Sequence, residues 1–121
     1  MDEQIPPEVK DKLYSLHAKT CKAMANKTRI KILDQLKYKE MRVDDLAEEL
    51  GTSAPNISQH LSLLKETGVV CSRSEQRYVY YSICDERIVE ACDLVKEVTL
   101  DQLKDEQEEI EQVRKYADEF E

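Results

Sequence analysis

The sequence predicts a mainly α-helical chain broken by a single β-hairpin, and three observations carry that expectation. Apolar residues recur at helical spacing through the first half of the chain. Between Val69 and Ile83 the residues switch to strand formers, with Tyr78, Val79, Tyr80 and Tyr81 filling the second of two runs. From Asp85 the helical period returns. At 121 residues this is one domain with a modest core, small enough for a second copy to help stabilise it.

Residues 1–7 are polar, end in Pro6-Pro7 and read as an extended or frayed lead-in. Glu8 to Met24 is a helical pattern whose stripe is Val9, Leu13, Leu16, Thr20 and Met24. Cys21 lies about a quarter-turn off that stripe, on the side shared by Tyr14 and His17. Lys27 to Leu36 is a second helix, with Ile30, Ile32, Leu33 and Leu36 expected mostly buried. Val43, Leu46, Ala47 and Leu50 give a short third stripe, and Gly51-Thr52 connect it tightly to the next helix.

That next helix has every boundary signal in place. Ser53 caps its amino end, Pro55 sits in the tolerant first turn and Gly68 stops it. Ile57, Leu61 and Leu64 form its buried stripe, while Pro55, Ser58, Gln59, Ser62 and Glu66 fall on the opposite face. The hairpin follows, with Glu75-Gln76 as the expected turn. Asp85 can cap a last helix whose stripe is Ile88, Ala91, Cys92, Val95 and Val98. Beyond it, Leu103, Ile110, Val113, Ala117 and Phe120 either extend that helix or belong to a solvated acidic tail; a partly ordered helix is preferred. The expected organisation is therefore a lead-in over 1–7, a domain over 8–99 and an acidic segment over 100–121.

Helix, short glycine turn, second helix and then a β-ribbon make a winged helix-turn-helix. The outer face of the 53–66 helix is small and polar, as suits a rod that enters a groove and hydrogen-bonds base edges. Ser58, Gln59 and Ser62 are the candidates to face bases, since glutamine pairs bidentately with adenine and serine is permissive. Thr52, Ser53 and Asn56 lie where a helix start meets phosphates, and Lys65 flanks the rod. His60, at the edge of the buried stripe, is assigned to packing or phosphate contact. Arg73 and Arg77 straddle the wing tip, either reaching an adjacent minor groove and its phosphates or standing as plain surface arginines.

Net charge of −8 argues against a nucleic-acid partner, but residues 101–121 hold −6 of it, leaving −2 for residues 1–100. No apolar run approaches a membrane span and no signal-peptide pattern is present, so a cytoplasmic chain with no membrane partner is expected. Cys21, Cys71, Cys84 and Cys92 are widely spaced without a C-x-x-C, so reduced thiols are the expectation. Cys21 and Cys92 can be a thiol switch, part of a soft-metalloid site, or simply small buried hydrophobes like the other two. No nucleophile–base spacing, phosphate loop or paired-carboxylate site suggests an enzyme. A rival reading is a winged-helix module for protein association only, with the acidic 100–121 segment as its contact.

The run Ala25-Asn26-Lys27-Thr28-Arg29-Ile30-Lys31-Ile32-Leu33 resembles the opening of the ArsR/SmtB family of dimeric winged-helix repressors. Asp45-Leu46-Ala47, Ser58 to Leu64, Gly68-Val69-Val70 and Tyr78 to Tyr81 match that family in order and spacing, so the resemblance covers residues 10–98. It implies a homodimer packed through the first and last helices, double-stranded operator DNA as partner, and release by a small inducer or thiol oxidant. Metal-sensing relatives carry two cysteines ahead of the reading helix. Here Arg42 and Asp44 occupy both positions, and no histidine stands between Asp85 and Val98 for the alternative zinc site. No metal site or cofactor is therefore expected.

Overall fold

Five helices and one hairpin follow in the order α1 (Pro7–Met24), α2 (Lys27–Leu36), α3 (Val43–Leu50), α4 (Ala54–Glu66), β1 (Val70–Glu75), β2 (Tyr78–Ile83) and α5 (Glu86–Glu119). The computed structural model describes residues 4–119. The described chain divides after Val89 into two compact units.

Each helix start and stop has a local cause. Asn26 accepts a hydrogen bond from the Arg29 amide at the start of α2, and Ser53 accepts one from the Asn56 amide at the start of α4. Gly51 ends α3 at φ 63° and Gly68 follows α4 at φ 78°, left-handed conformations that glycine adopts without a steric cost. Asp85 caps α5 by accepting from the Arg87 amide at 3.0 Å. α1 begins at Pro7, inside the expected lead-in, because Pro6 supplies the first carbonyl acceptors to Val9 and Lys10.

The core of the first unit is the meeting of α2, α3, α4 and the root of the hairpin. Ile32, Leu46, Ile57, Leu61 and Leu64 are completely buried, with Val69 and Val70 closing the hairpin end. α4 packs on α1, α2, α3 and β1, so four elements meet around it. Burying each such side chain contributes about 1.5–3 kcal/mol relative to exposure. Ile30 departs from expectation: it is 41% exposed, since Ile32, Leu33 and Leu36 already fill the inward arc of α2.

The hairpin is antiparallel, with Val70 opposite Ile83, Arg73 opposite Tyr80 and Glu75 opposite Tyr78. That last pair moves the turn one residue beyond expectation, to Gln76-Arg77. Gln76 takes φ 56°, the left-handed region that an inward-twisting two-residue turn demands. A bridge from Met41 to Tyr81, with amide–carbonyl bonds of 3.0 and 2.8 Å, adds the α2–α3 loop to the free edge of β2.

The expectation of four reduced thiols is corrected here. Cys71 and Cys84 form a disulfide with their Cα atoms 5.2 Å apart. They are distant in sequence, and only the hairpin register brings them together. Cys21 and Cys92 lie outside the disulfide, and Cys21 is exposed.

α5 runs without a break across residues 99 and 100 and continues to Glu119. Within it Val95, Val98, Leu103, Ile110 and Val113 are all exposed; Phe120 lies outside the described residues. α1 likewise exposes Val9, Leu13 and Leu16. Among the described residues no helix is long and apolar enough to cross a membrane.

One further brace sets the position of α4. Arg29 donates through Nε to the Ala23 carbonyl at the end of α1, and its Nη1 lies 3.2 Å from His60 Nδ1 on α4. Burial, and then the Arg29 charge, hold the His60 imidazole below its ordinary 6.5. A neutral ring with Nδ1 accepting from Arg29 keeps its proton on Nε2.

Two outcomes are expected. Leu61→Ala should cost about 2–5 kcal/mol in urea unfolding, whereas Ser62→Ala, one residue along, should stay within about 0.5 kcal/mol. Comparable losses at both sites would mean that α4 is turned differently. Because the unfolded chain binds a proton at His60 more readily than the folded one, stability should be full above about pH 6.5 and decline on acidification below it. Proton NMR titration should place His60 below 6.5, and Arg29→Ala should move it upward.

Candidate nucleic-acid interface

The polar face of α4 follows from its buried one. With Ile57, Leu61 and Leu64 turned inward, the helical step leaves Ser58, Gln59 and Ser62 exposed on the surface. Ser62 donates its hydroxyl hydrogen to the Ser58 carbonyl at 2.9 Å, so outwardly it offers lone pairs. The Ser58 hydroxyl and the Gln59 amide make no side-chain hydrogen bond among the described residues, so the amide keeps both its acceptor and its donors. Lys65 is exposed one turn further on.

At the amino end, Asn56 Nδ2 donates to Thr52 Oγ1 at 3.0 Å, and Ser53 holds the Asn56 amide at 3.3 Å. The Asn56–Thr52 side-chain bond and the Ser53 cap on the Asn56 backbone N–H shape the helix start, with Ser53 exposed and Thr52 and Asn56 half-buried. His60 sits apart from the exposed face, half-buried against Arg29.

The wing separates its two arginines. Arg73 is held by Glu40 through Nε at 2.9 Å and through a second bond from Nη2, and by Glu75 at 2.8 Å. Its guanidinium also lies 4.7 Å from the Tyr80 ring. Arg73 in turn keeps the Glu40 carboxyl below its usual range. Arg77, in the turn itself, has no ion pair among the described residues and stands 5.8 Å from the Tyr78 ring.

Sequence reasoning named Arg42 only as standing where metal-sensing relatives carry a cysteine and gave it no place at the wing. It bonds Asp45 at 3.3 Å and lies 4.5 Å over the Tyr78 ring, so Tyr78 has Arg42 and Arg77 beside it. The Met41–Tyr81 bridge places residue 42 beside the wing, and no local pattern signals that pairing. Among the described residues no group of three or more His, Cys, Asp or Glu side chains is placed to hold a metal ion.

Comparison with known proteins fits this geometry. Residues 26–72 match the model of the bacterial regulatory protein, arsR family. The chain is 35% identical over 115 residues to nodulation protein NolR of Rhizobium meliloti, spanning 95% of this chain and 93% of that one. It is 42% identical over 62 residues to the transcriptional repressor SdpR of Bacillus subtilis, covering 51% of this chain and 69% of the relative. Among solved structures it superposes on the homodimeric winged helix-turn-helix DNA-binding domain of Mb0332 from Mycobacterium bovis. The TM-score is 0.75 at 32% identity, with 84% of this chain and 94% of that one covered. The chain therefore belongs to the ArsR family of bacterial regulatory proteins, as a winged-helix, DNA-binding transcriptional regulator and not an enzyme.

Proposed function

We propose that two copies of the chain read a partly palindromic operator as a homodimeric repressor, each inserting α4 into a major groove. The observation that carries this reading is the division of α4 itself. Three fully buried residues fix the helix while Ser58, Gln59 and Ser62 stay exposed, with the Gln59 amide unengaged among the described residues. An amide held on a rigid rod meets the geometric demand of a bidentate contact to adenine. Thr52, Ser53, Asn56 and Lys65 would contact phosphates around it, and Arg77 would reach the backbone or minor groove beside it. Arg73, already bound to two carboxylates, supports the wing and contributes to DNA binding only as part of that frame.

The apolar residues that α1 and α5 each leave exposed are where a second copy would pack. Two-fold symmetry would then set the reading helices about 34–36 Å apart, one turn of duplex. Release by a small inducer or a thiol oxidant belongs to the same reading, with Cys21 and Cys92 as its candidate thiols. A chain that reads chromosomal DNA works where that DNA is, and we place it in the cytoplasm.

Fluorescence anisotropy with duplex from the promoter region upstream of its own gene tests this. Gln59→Ala should weaken binding by about 1–3 kcal/mol and relax discrimination at one base-pair position in each half-site. Arg77→Ala should weaken binding to all sequences alike and lower the salt-dependence slope by about 1. Binding that ignores both substitutions would sink the assignment of α4 and the wing as the DNA-reading surfaces.

A further inference from the structure

The hairpin carries a covalent bond that base reading does not require. Cys71 pairs with Ser82 in the ladder, and the Cys84 amide donates to the Val69 carbonyl at 3.2 Å. The two cysteines are therefore diagonal neighbours across β1 and the end of β2, joined through their sulfurs, and both residues are exposed. Strand alternation puts Cys71 on the same face as Arg73 and Glu75, opposite Tyr80 and Tyr78. Cys84 directly precedes Asp85, the cap of α5. The bond thus ties the root of the wing to the point where the chain enters α5.

We propose that Cys71–Cys84 is a reversible thiol–disulfide site, reduced by dithiols, whose oxidised form holds the wing in its DNA-contacting geometry. The inference rests on the DNA-reading function proposed above. Exposure is the first support, because exchange begins with a thiolate reaching one of the sulfurs. The second is compartment. Where DNA is read, thiol buffers keep structural disulfides scarce, and those that form are transient or sensing. The third is that the fold does not need the bond. Six ladder pairs, the Met41–Tyr81 bridge and the burial of Val69 and Val70 hold the hairpin without it. The fourth is position: Cys71 stands two residues from Arg73 on one face, so opening the bond loosens the base of the segment that carries Arg73 and Arg77.

The exchange balances as follows. One thiolate of the dithiol attacks Cys71 or Cys84 and forms a mixed disulfide, expelling the other cysteine as a thiolate that takes up a proton. The second thiol of the reductant then closes its own disulfide and releases the remaining cysteine. Two electrons and two protons pass to the chain, and the dithiol becomes a disulfide. In the reduced chain, DNA binding must order the wing root that the bond ordered before, so affinity falls by about threefold to tenfold.

The experiment compares the full chain, oxidised and after dithiothreitol, by anisotropy on the same upstream duplex, with peptide mass mapping and circular dichroism of each form. Expected are one Cys71–Cys84 cross-link in the oxidised form, an unchanged fold after reduction, and the stated loss of affinity. The comparison is run in the Cys21→Ser/Cys92→Ser background, which removes the two thiols outside the disulfide and with them the release by oxidant proposed above. There the loss of affinity on reduction should persist, and adding Cys71→Ser or Cys84→Ser should give binding like that of the reduced protein under both conditions. Equal affinity in the two forms, or a response that survives Cys71→Ser, overturns the switch and leaves DNA reading intact. Absence of binding in both forms overturns DNA reading and the switch with it.

Discussion

One thirteen-residue helix serves the core and the solvent at once, and the rest of the molecule is built around that constraint. Ile57, Leu61 and Leu64 of α4 are completely buried. A rotation of one residue step, about 100°, would replace them in the core with Ser58, Ser62 and Lys65. That exchange would expose three large apolar side chains and desolvate two hydroxyls and an ammonium, of which only the Ser62 hydroxyl keeps a partner, the Ser58 carbonyl. The rotational setting of the polar face is thus fixed by the energetics of the face opposite it. What α4 presents on its outer face follows from what it cannot present to water.

Axial position and direction come from elsewhere. Ser53 and Gly68 define where α4 begins and ends, and the Arg29 contacts with Ala23 and His60 tie it to the end of α1. The wing is placed by a different device, the Met41–Tyr81 bridge, which sews the α2–α3 loop onto β2. Glu40 and Arg42, on either side of Met41, then meet Arg73 and Tyr78 of the wing. Arg73 is engaged by carboxylates on both its flanks, whereas Arg77 in the turn is not. Of the two wing arginines, the structure therefore separates a supporting one from one that remains available to an outside anion.

Much of this was legible in the residues because it is local. The α4 stripe, its Ser53 cap, its Gly68 stop and the Asp85 cap of α5 are all encoded within a few positions of where they act. The family resemblance was legible for the same reason, as short motifs in a fixed order. What escaped depends on chain segments that meet only after folding. The shift of the turn to Gln76-Arg77 follows from ladder register, which a one-residue ambiguity in sequence cannot resolve. The Cys71–Cys84 bond and the place of Arg42 beside Tyr78 depend on that register and on the Met41 bridge. The exposure of Ile30 required knowing how narrow the inward arc of α2 is.

The same contacts bear on how a distant event reaches α4. α1 packs against both α2 and α4, and Arg29 joins the last turn of α1 to His60 near the middle of α4. α1 also leaves Val9, Leu13 and Leu16 exposed, an apolar stripe that a lone chain gains nothing by showing to water. A second copy seated on that stripe would set the position of α1, and through the Arg29 brace the position of α4. Packed side chains transmit such shifts because a close-packed interior deforms little. In a two-fold assembly a small displacement of α1 would move the two copies of α4 by equal amounts in opposite directions, and the spacing between them would change by twice that amount. Half-site spacing on a duplex is fixed by its helical repeat, so under the proposed reading a second copy on α1 would be felt at α4 through these contacts.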